Sequence, residues 1–552
     1  MKSYKLLFLI LSIYFVVACK SLYPIKVDKI PVPKSKISKQ DWRNWQHKDI
    51  YIDSIPGISL DKAYKELLKD KKGDTIIVAL LDNRIDSEHE DIKDFIWVNN
   101  NEIPNNNKDD DDNGFIDDVN GWNFLGNING ENVGRARFES TRIIEKYEKV
   151  FSDSNINAIS KENNDNFKLY KKAKEAYAKS LDEVNYGFHY FDSLDQNKIN
   201  LEKELSETFP NINLTIKNLE KVKKDHPTKA DEITTYISYL KYPDWSESRR
   251  ASLQAFLKIH LNLDYKEREV IGDNVEDLND TNYGNGNITA STSSSHNHAI
   301  KVAGVLGANR QNNIGIRGIS NNLKIMPVSV SPTGDEQDKD IALGIRYAVD
   351  NGAKIIIMTF TKFLVQHEDW LSDALKYAEK NDVLIVLSAG NSASNSDFKK
   401  TYPNDYNSKN IEYINNVIVV GGIRNSLDEK LVSEFSSYGK NNVDVFAPAR
   451  SIYTTLRNNK YGYESGTSMS APIVAGIAAL IRCHYPNLTA PEVKQIIMKS
   501  GISLNIMVNK PSTSKEKELV PFSSLSKSGK IVNAYNALLM AEEVSKKKEK
   551  RK

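Results

Sequence analysis

Five short aliphatic runs, at residues 76–81, 324–330, 354–358, 383–387 and 417–420, stand out from a polar chain. Their apolar residues are contiguous rather than alternating, the pattern of strands buried on both faces of a parallel sheet. Between them, residues 340–350 and 370–380 carry apolar positions at helical spacing. Strand alternating with helix predicts an α/β layered fold with a mostly parallel central sheet.

The texture changes between about residues 135 and 265, where Lys and Glu abound, Gly is scarce and helical spacing recurs at 167–181 and 199–205. This predicts a helical insertion, 136–265, between two strands of the core. The alternative is a disordered charged linker, against which stand Tyr147, Phe167, Tyr170, Tyr177, Tyr236 and Tyr239, apolar surface that linkers lack. The core is then divided into 61–135 and 266–540. Residues 20–60 read as a tether and N-terminal extension, polar over 20–50 with Pro31 and Pro33, and 541–552 as a basic tail, solvated or touching lipid headgroups.

The first 19 residues form the one long apolar run, opened by Lys2 and Lys5 and closed by Val16-Val17-Ala18-Cys19. The run is too short to span a bilayer comfortably and has the charged, apolar, small order of an export signal. Its end resembles a lipobox, which makes Cys19 the expected lipidation site and the membrane an expected partner; an ordinary signal peptide or an anchoring helix is the alternative. Lys20-Ser21 lacks an acidic surface-export run, so the expected location is an outer membrane, facing the periplasm.

Composition narrows this further. In 552 residues, 75 Lys and Arg face 73 Asp and Glu, so no global field argues for nucleic acid. A mean hydropathy of −0.50 suits a soluble body. The only other cysteine, Cys483, follows an apolar helical stretch and is expected to pack as a small hydrophobe, with no disulfide.

The strongest chemical signal is Gly466-Thr467-Ser468-Met469-Ser470-Ala471-Pro472, ahead of a small apolar helix at 473–481. A serine at the N-terminus of a buried helix exposes its hydroxyl where backbone N–H groups and the helix dipole favour an oxyanion. Such a serine needs a base, and the base an orienting carboxylate. Asp82 ends the first aliphatic run, where a carboxylate reaches the sheet's C-terminal edge. His296 and His298 both offer an imidazole.

With Val78-Ala79-Leu80-Leu81-Asp82, Val302-Ala303-Gly304, Gly315-Ile316-Arg317-Gly318, Phe435-Ser436-Ser437-Tyr438-Gly439 and Val445-Phe446-Ala447-Pro448, these motifs resemble the subtilisin-like serine proteases, peptidase family S8. The closest likeness is to cell-envelope lipoprotein subtilases of the Bacteroidetes type. The resemblance covers residues 70–135 and 265–540. It implies a subtilisin-like three-layer fold, serine endopeptidase activity on protein or peptide substrates and a triad of Asp82, His298 and Ser468, with His298 chosen over His296 by register. It also implies Asn391 as oxyanion donor and Thr359, Phe360, Thr361 and Gly390 as substrate-binding positions.

Departures cluster at the same site. Asn83-Arg84 follow Asp82 where the family has a small hydroxyl residue and Gly, and Ala299-Ile300-Lys301 stand where it has Gly, Thr and His. Thr361 and Ala449 replace usual glycines. Added Cβ atoms narrow a groove in which a peptide adds as a strand. A subtilase-fold binding protein with weak or no turnover is therefore the alternative to an active endopeptidase.

A second signal is the acidic run at 109–118. Asp109, Asp111, Asn113, the Phe115 carbonyl and Asp117 place oxygens at alternate positions with Gly114 sixth, an EF-hand-like spacing that predicts structural calcium. Asn120 stands where the bidentate Glu is needed, so a solvated acidic turn is the alternative.

Overall fold

The computed structural model describes residues 26–27, 42–151, 161–290, 297–514 and 516–551. Cys19 with its lipobox, and His296, lie outside the described residues. Six parallel strands form the centre of the main sheet, in spatial order Val445–Pro448, Val417–Ile423, Leu384–Ser388, Ile355–Met358, Ile76–Asp82 and Leu323–Ser329. Short strands extend both ends, and the pairing of Ile502–Leu504 with Lys530–Ile531 is antiparallel.

The pleat explains the contiguous aliphatic runs. Val78 and Leu80 enter one core with the helices His298–Gly307, Thr467–His484, Ala490–Ser500 and Ala534–Glu549, while Ala79 and Leu81 enter another with Asp338–Asp350 and Glu368–Lys380. Both faces are covered, giving three layers, so the central strands are buried at nearly every position and no polar alternation survives.

Between Ile76–Asp82 and Leu323–Ser329 lies the helical segment: Glu139–Phe151, Lys161–Thr208, Ile216–Asp225, Ala230–Lys241 and Trp245–Ala255. The second of these has 48 residues. Leu201, Leu205, Leu219, Ile233 and Tyr236 form a separate small core within it. A seam of Ile143, Ile144, Phe151, Tyr170 and Ala173 joins the first two helices to Leu364 of the main body.

Three expected boundaries change. Residues from Trp42 to Ser59 are not tether: Trp45, Ile55 and Ile58 are buried in the main core and Ile50 in a neighbouring one, because the few apolar residues of this polar stretch find a surface to cover. The basic tail is the end of helix Ala534–Glu549, where Lys546 and Lys547 pair with Glu542 and Glu543 one turn back and Lys548 reaches Glu492. Lysines in a last helical turn also suit the helix dipole. The helix read as 473–481 runs from Thr467 to His484 and takes Pro472 into its interior, so Ser468 lies in the first turn instead of ahead of it.

Candidate active site

Sheet register brings the first groups together. Leu81 pairs with Met358, and Met358 with Leu387, so Asp82, Thr359 and Ser388 stand side by side at the C-terminal edge. Asp82 is buried. Its Oδ2 accepts from Nδ1 of His298 at 2.8 Å and from Oγ1 of Thr359 at 2.8 Å, and its Oδ1 accepts the Asn83 N–H at 2.7 Å.

His298 is the first residue of its helix. The unusual Asn83 supports that helix start directly, since its Oδ1 accepts the Ala299 N–H at 3.2 Å, one of the donors a helix start leaves without a partner. Burial pulls the His298 imidazole down, but the Asp82 carboxylate, by charge and by hydrogen bond, outweighs it and holds the pKa above the ordinary value. With Nδ1 committed to Asp82, Nε2 is the nitrogen left for chemistry, and the side chain is 37% exposed. Lys301 pairs with Glu464, four residues before Ser468.

Ser468 is nearly buried, and its Oγ donates to the Thr359 carbonyl at 3.3 Å. Among the described residues no hydrogen bond joins that Oγ to His298. Asn391 is oriented by Thr467: Oδ1 accepts the Thr467 N–H at 2.9 Å and its hydroxyl at 3.0 Å. A backbone N–H only donates, so the amide oxygen must face it and Nδ2 must face away. The Thr467 hydroxyl also accepts the Gly390 N–H at 3.1 Å, which ties the Asn391 loop to the helix start. Gly466 has φ +153°, and a Cβ there meets Nδ2 of Asn391 at 3.3 Å, so glycine keeps this approach open.

Thr359, Phe360 and Thr361 leave the end of strand Ile355–Met358 beside this cluster, with Phe360 partly buried. Gly390, at φ +94°, faces Thr361, whose Oγ1 lies 3.3 Å from where a Cβ of residue 390 falls. The Thr361 side chain thus occupies space beside Gly390. Ala449 is fully buried against Gly422, away from any groove surface. Cys483 is buried with its thiol pushed up to about 12, chiefly by burial.

In the acidic loop, Asp109 and Asp111 share one cluster with Glu102, which spacing alone did not single out, each offering an oxygen within 4.8 Å of the others. Asp117 lies outside this cluster. Asn113 Nδ2 donates to Asp118 at 3.2 Å, and the Asp117 carboxylate accepts the N–H groups of Asn106 and Asn107 at 3.2 and 2.9 Å. Alternate spacing converges on one point only if the loop coils as in an EF-hand; here Asp117 folds back onto the preceding turn. Among the described residues, Asp111 Oδ1 is buried without a hydrogen-bond partner.

Asp82, His298 and Ser468 thus lie at the C-terminal edge of a doubly covered parallel sheet, His298 joined to Asp82 directly and Ser468 joined to Asp82 through Thr359. The chain belongs to the subtilase family, whose family model matches residues 73–520. It is similar to the thermophilic serine proteinase of Bacillus sp. strain AK1, 33% identical over 270 residues that make up 48% of this chain and 60% of the relative. It is also similar to subtilisin DY of Bacillus licheniformis, 32% identical over 209 residues, 38% of this chain and 71% of the relative. Among solved structures, a protease of Pseudoalteromonas arctica PAMC 21717 matches with 27% identity and a TM-score of 0.36, over 44% of this chain and 70% of that one. The chain spans less than two thirds of the first relative's length.

Proposed function

We propose that the chain is a serine endopeptidase of the cell envelope. The observation that carries this reading is the Asp82–His298 hydrogen bond beside a helix-start serine whose neighbouring amide, Asn391 Nδ2, is held facing away from its anchor. Asp82 fixes the imidazole tautomer with the proton on Nδ1. Ser468 Oγ leaves the Thr359 carbonyl by a χ1 rotation, gives its proton to His298 Nε2 and attacks the scissile carbonyl. Asn391 and the Ser468 N–H take the oxyanion, and His298 returns the proton to the leaving amine. Thr359, Phe360 and Thr361 pair with the extended substrate. Purified Ser468→Ala should lose proteolysis of an unfolded protein substrate; retention of wild-type rates removes the assignment.

A binding protein with weak turnover is the second reading. It is favoured by the Ser468 hydroxyl resting on Thr359 instead of His298 and by the Thr361 side chain against Gly390. Lipidation of Cys19 places the protein on a membrane, and mass spectrometry of the mature N-terminus tests it: an unmodified start downstream of Cys19 removes the anchor. For the acidic loop the reading is a structural calcium held by Glu102, Asp109 and Asp111; the unpartnered Asp111 Oδ1 suits a cation, and three carboxylates this close repel one another without one.

A further inference from the structure

The helical segment and the main body meet on residues 362–366, which directly follow Thr359–Thr361. Lys362 is fully buried. Its ammonium donates to Glu139 Oε2 at 3.0 Å and to the Glu336 carbonyl at 2.7 Å, and it pairs with Asp338. Glu139, at the start of the first inserted helix, also pairs with Arg142 and accepts from Gln366 Nε2 at 2.7 Å. Arg142 in turn reaches the carbonyls of Asp335 and Glu336 at 3.0 and 2.8 Å. Leu364 packs, independently of these charges, with Ile143, Ile144 and Tyr170.

The same loop reaches the reacting groups from its other end. The Asp82 carbonyl accepts the N–H groups of Val330 and Ser331 at 2.9 and 3.1 Å, and the Ser331 hydroxyl donates to Glu336 at 2.6 Å. Inserted helix, loop 330–338 and segment 362–366 are thus one hydrogen-bonded unit, with Asp82 and Thr361 at its two exits.

We propose that Lys362 is a positioning residue through which the helical insertion sets the path of Thr359–Thr361, so that the insertion determines how extended peptides bind. This rests on the reading that these residues meet substrate. The physical reason is the cost of a buried charge. An ammonium in the interior is tolerated only with its partners in place, and such a pair fixes one geometry more than it adds stability. Glu139 belongs to the insertion and Lys362 to the strand exit, so neither side finds its low-energy position without the other. A cavity of about 400 Å³, lined by Arg142, Lys146, Asp338, Gln366 and His367, lies beside the junction and leaves room for the segment to shift when the pair is broken.

The test is Glu139→Gln in the full chain, which keeps shape and removes one charge. For peptides with four or more residues before the scissile bond, KM is expected to rise about tenfold while kcat and the rate of Ser468 labelling by a small fluorophosphonate stay within about twofold. Amide exchange over 361–366 should speed by about tenfold, with Thr359 and the strands Ile355–Met358 and Leu384–Ser388 unchanged. Leu364→Ala, which loosens the same segment without stranding a charge, should do the same if Glu139→Gln does not fold. Unchanged KM and exchange overturn the proposal, and so does a parallel loss of kcat, labelling and global protection, the mark of a merely structural role. If the wild type neither labels nor cleaves, the protease reading fails on its own, and the exchange measurement still decides whether the insertion holds the segment.

Discussion

Thr359 donates its hydroxyl to the same Asp82 oxygen that receives His298 Nδ1, each at 2.8 Å, while its own carbonyl accepts from Ser468. One residue therefore touches both ends of the proposed triad. Thr359→Val keeps the side-chain shape and removes the donor. Asp82 is left with fewer hydrogen bonds and more charge for the imidazolium, so the His298 pKa, already above the ordinary 6.5, rises further. Because the base must be unprotonated, activity is lost as pH falls through that value. The acid limb of fluorophosphonate labelling against pH should move upward by about half a unit to one unit; an unmoved limb contradicts this role.

Asn391→Ala should lower kcat by about 10² to 10³ with an unchanged fold, the usual cost of one oxyanion donor. Thr467→Val, which never touches the oxyanion, should lower kcat by about tenfold by freeing the Asn391 amide, with little change in KM. Equal kcat in wild type and Asn391→Ala, measured on one short peptide, removes the oxyanion assignment.

Glu336 makes stability fall with rising pH. Its carboxyl is pushed up to about 7 by burial, against the Ser331 hydrogen bond and with help from Asp335, while Lys362 pulls it down. Between its ordinary 4.5 and about 7 the folded state holds a proton that the unfolded chain has released. The contribution is therefore full below the lower value and is lost as pH rises through the upper one, up to roughly 3 kcal/mol. Glu336→Gln should flatten the decline of urea unfolding free energy between about pH 5 and pH 7.5; an unaltered slope refutes it.

Chelation should lower the melting temperature. Calcium at about a hundredfold excess over Kd adds roughly 2.7 kcal/mol to the folded state, and EGTA withdraws it. Glu102→Gln with Asp111→Asn should abolish the difference, whereas Asp117→Asn should preserve it, because Asp117 lies outside the cluster of Glu102, Asp109 and Asp111. Equal melting of wild type with calcium and with EGTA ends the calcium reading.

The aliphatic runs were legible because strands buried on both faces leave no ambiguity about which residues face inward. Asp82 could be placed because it ends the first aliphatic run, at the sheet's C-terminal edge, whereas His298 was told from His296 only by the register that the family resemblance implies. Thr359's contact with Asp82 depends on the register of neighbouring strands, and Glu102's approach to Asp109 on how a loop folds back; neither leaves a pattern along the chain. Lys362 reads as a surface residue in any scan of hydropathy, since its burial depends on partners that only the folded chain assembles, Asp338 from 24 positions earlier and Glu139 from 223. Trp42 to Ser59 looked like tether for the same reason, as Trp45 gains its partners only from the assembled core.

Ser468 is proposed above all as a nucleophile activated by His298 and Asp82. The most direct measurement is covalent labelling by a fluorophosphonate, located by mass spectrometry of the digested protein, since the reagent demands an activated serine and no fitted substrate. A single adduct on Ser468 is predicted in the wild type, lost in His298→Ala and slowed by about 10³ or more in Asp82→Asn. An unlabelled wild type, or labelling that persists in His298→Ala, contradicts the assignment.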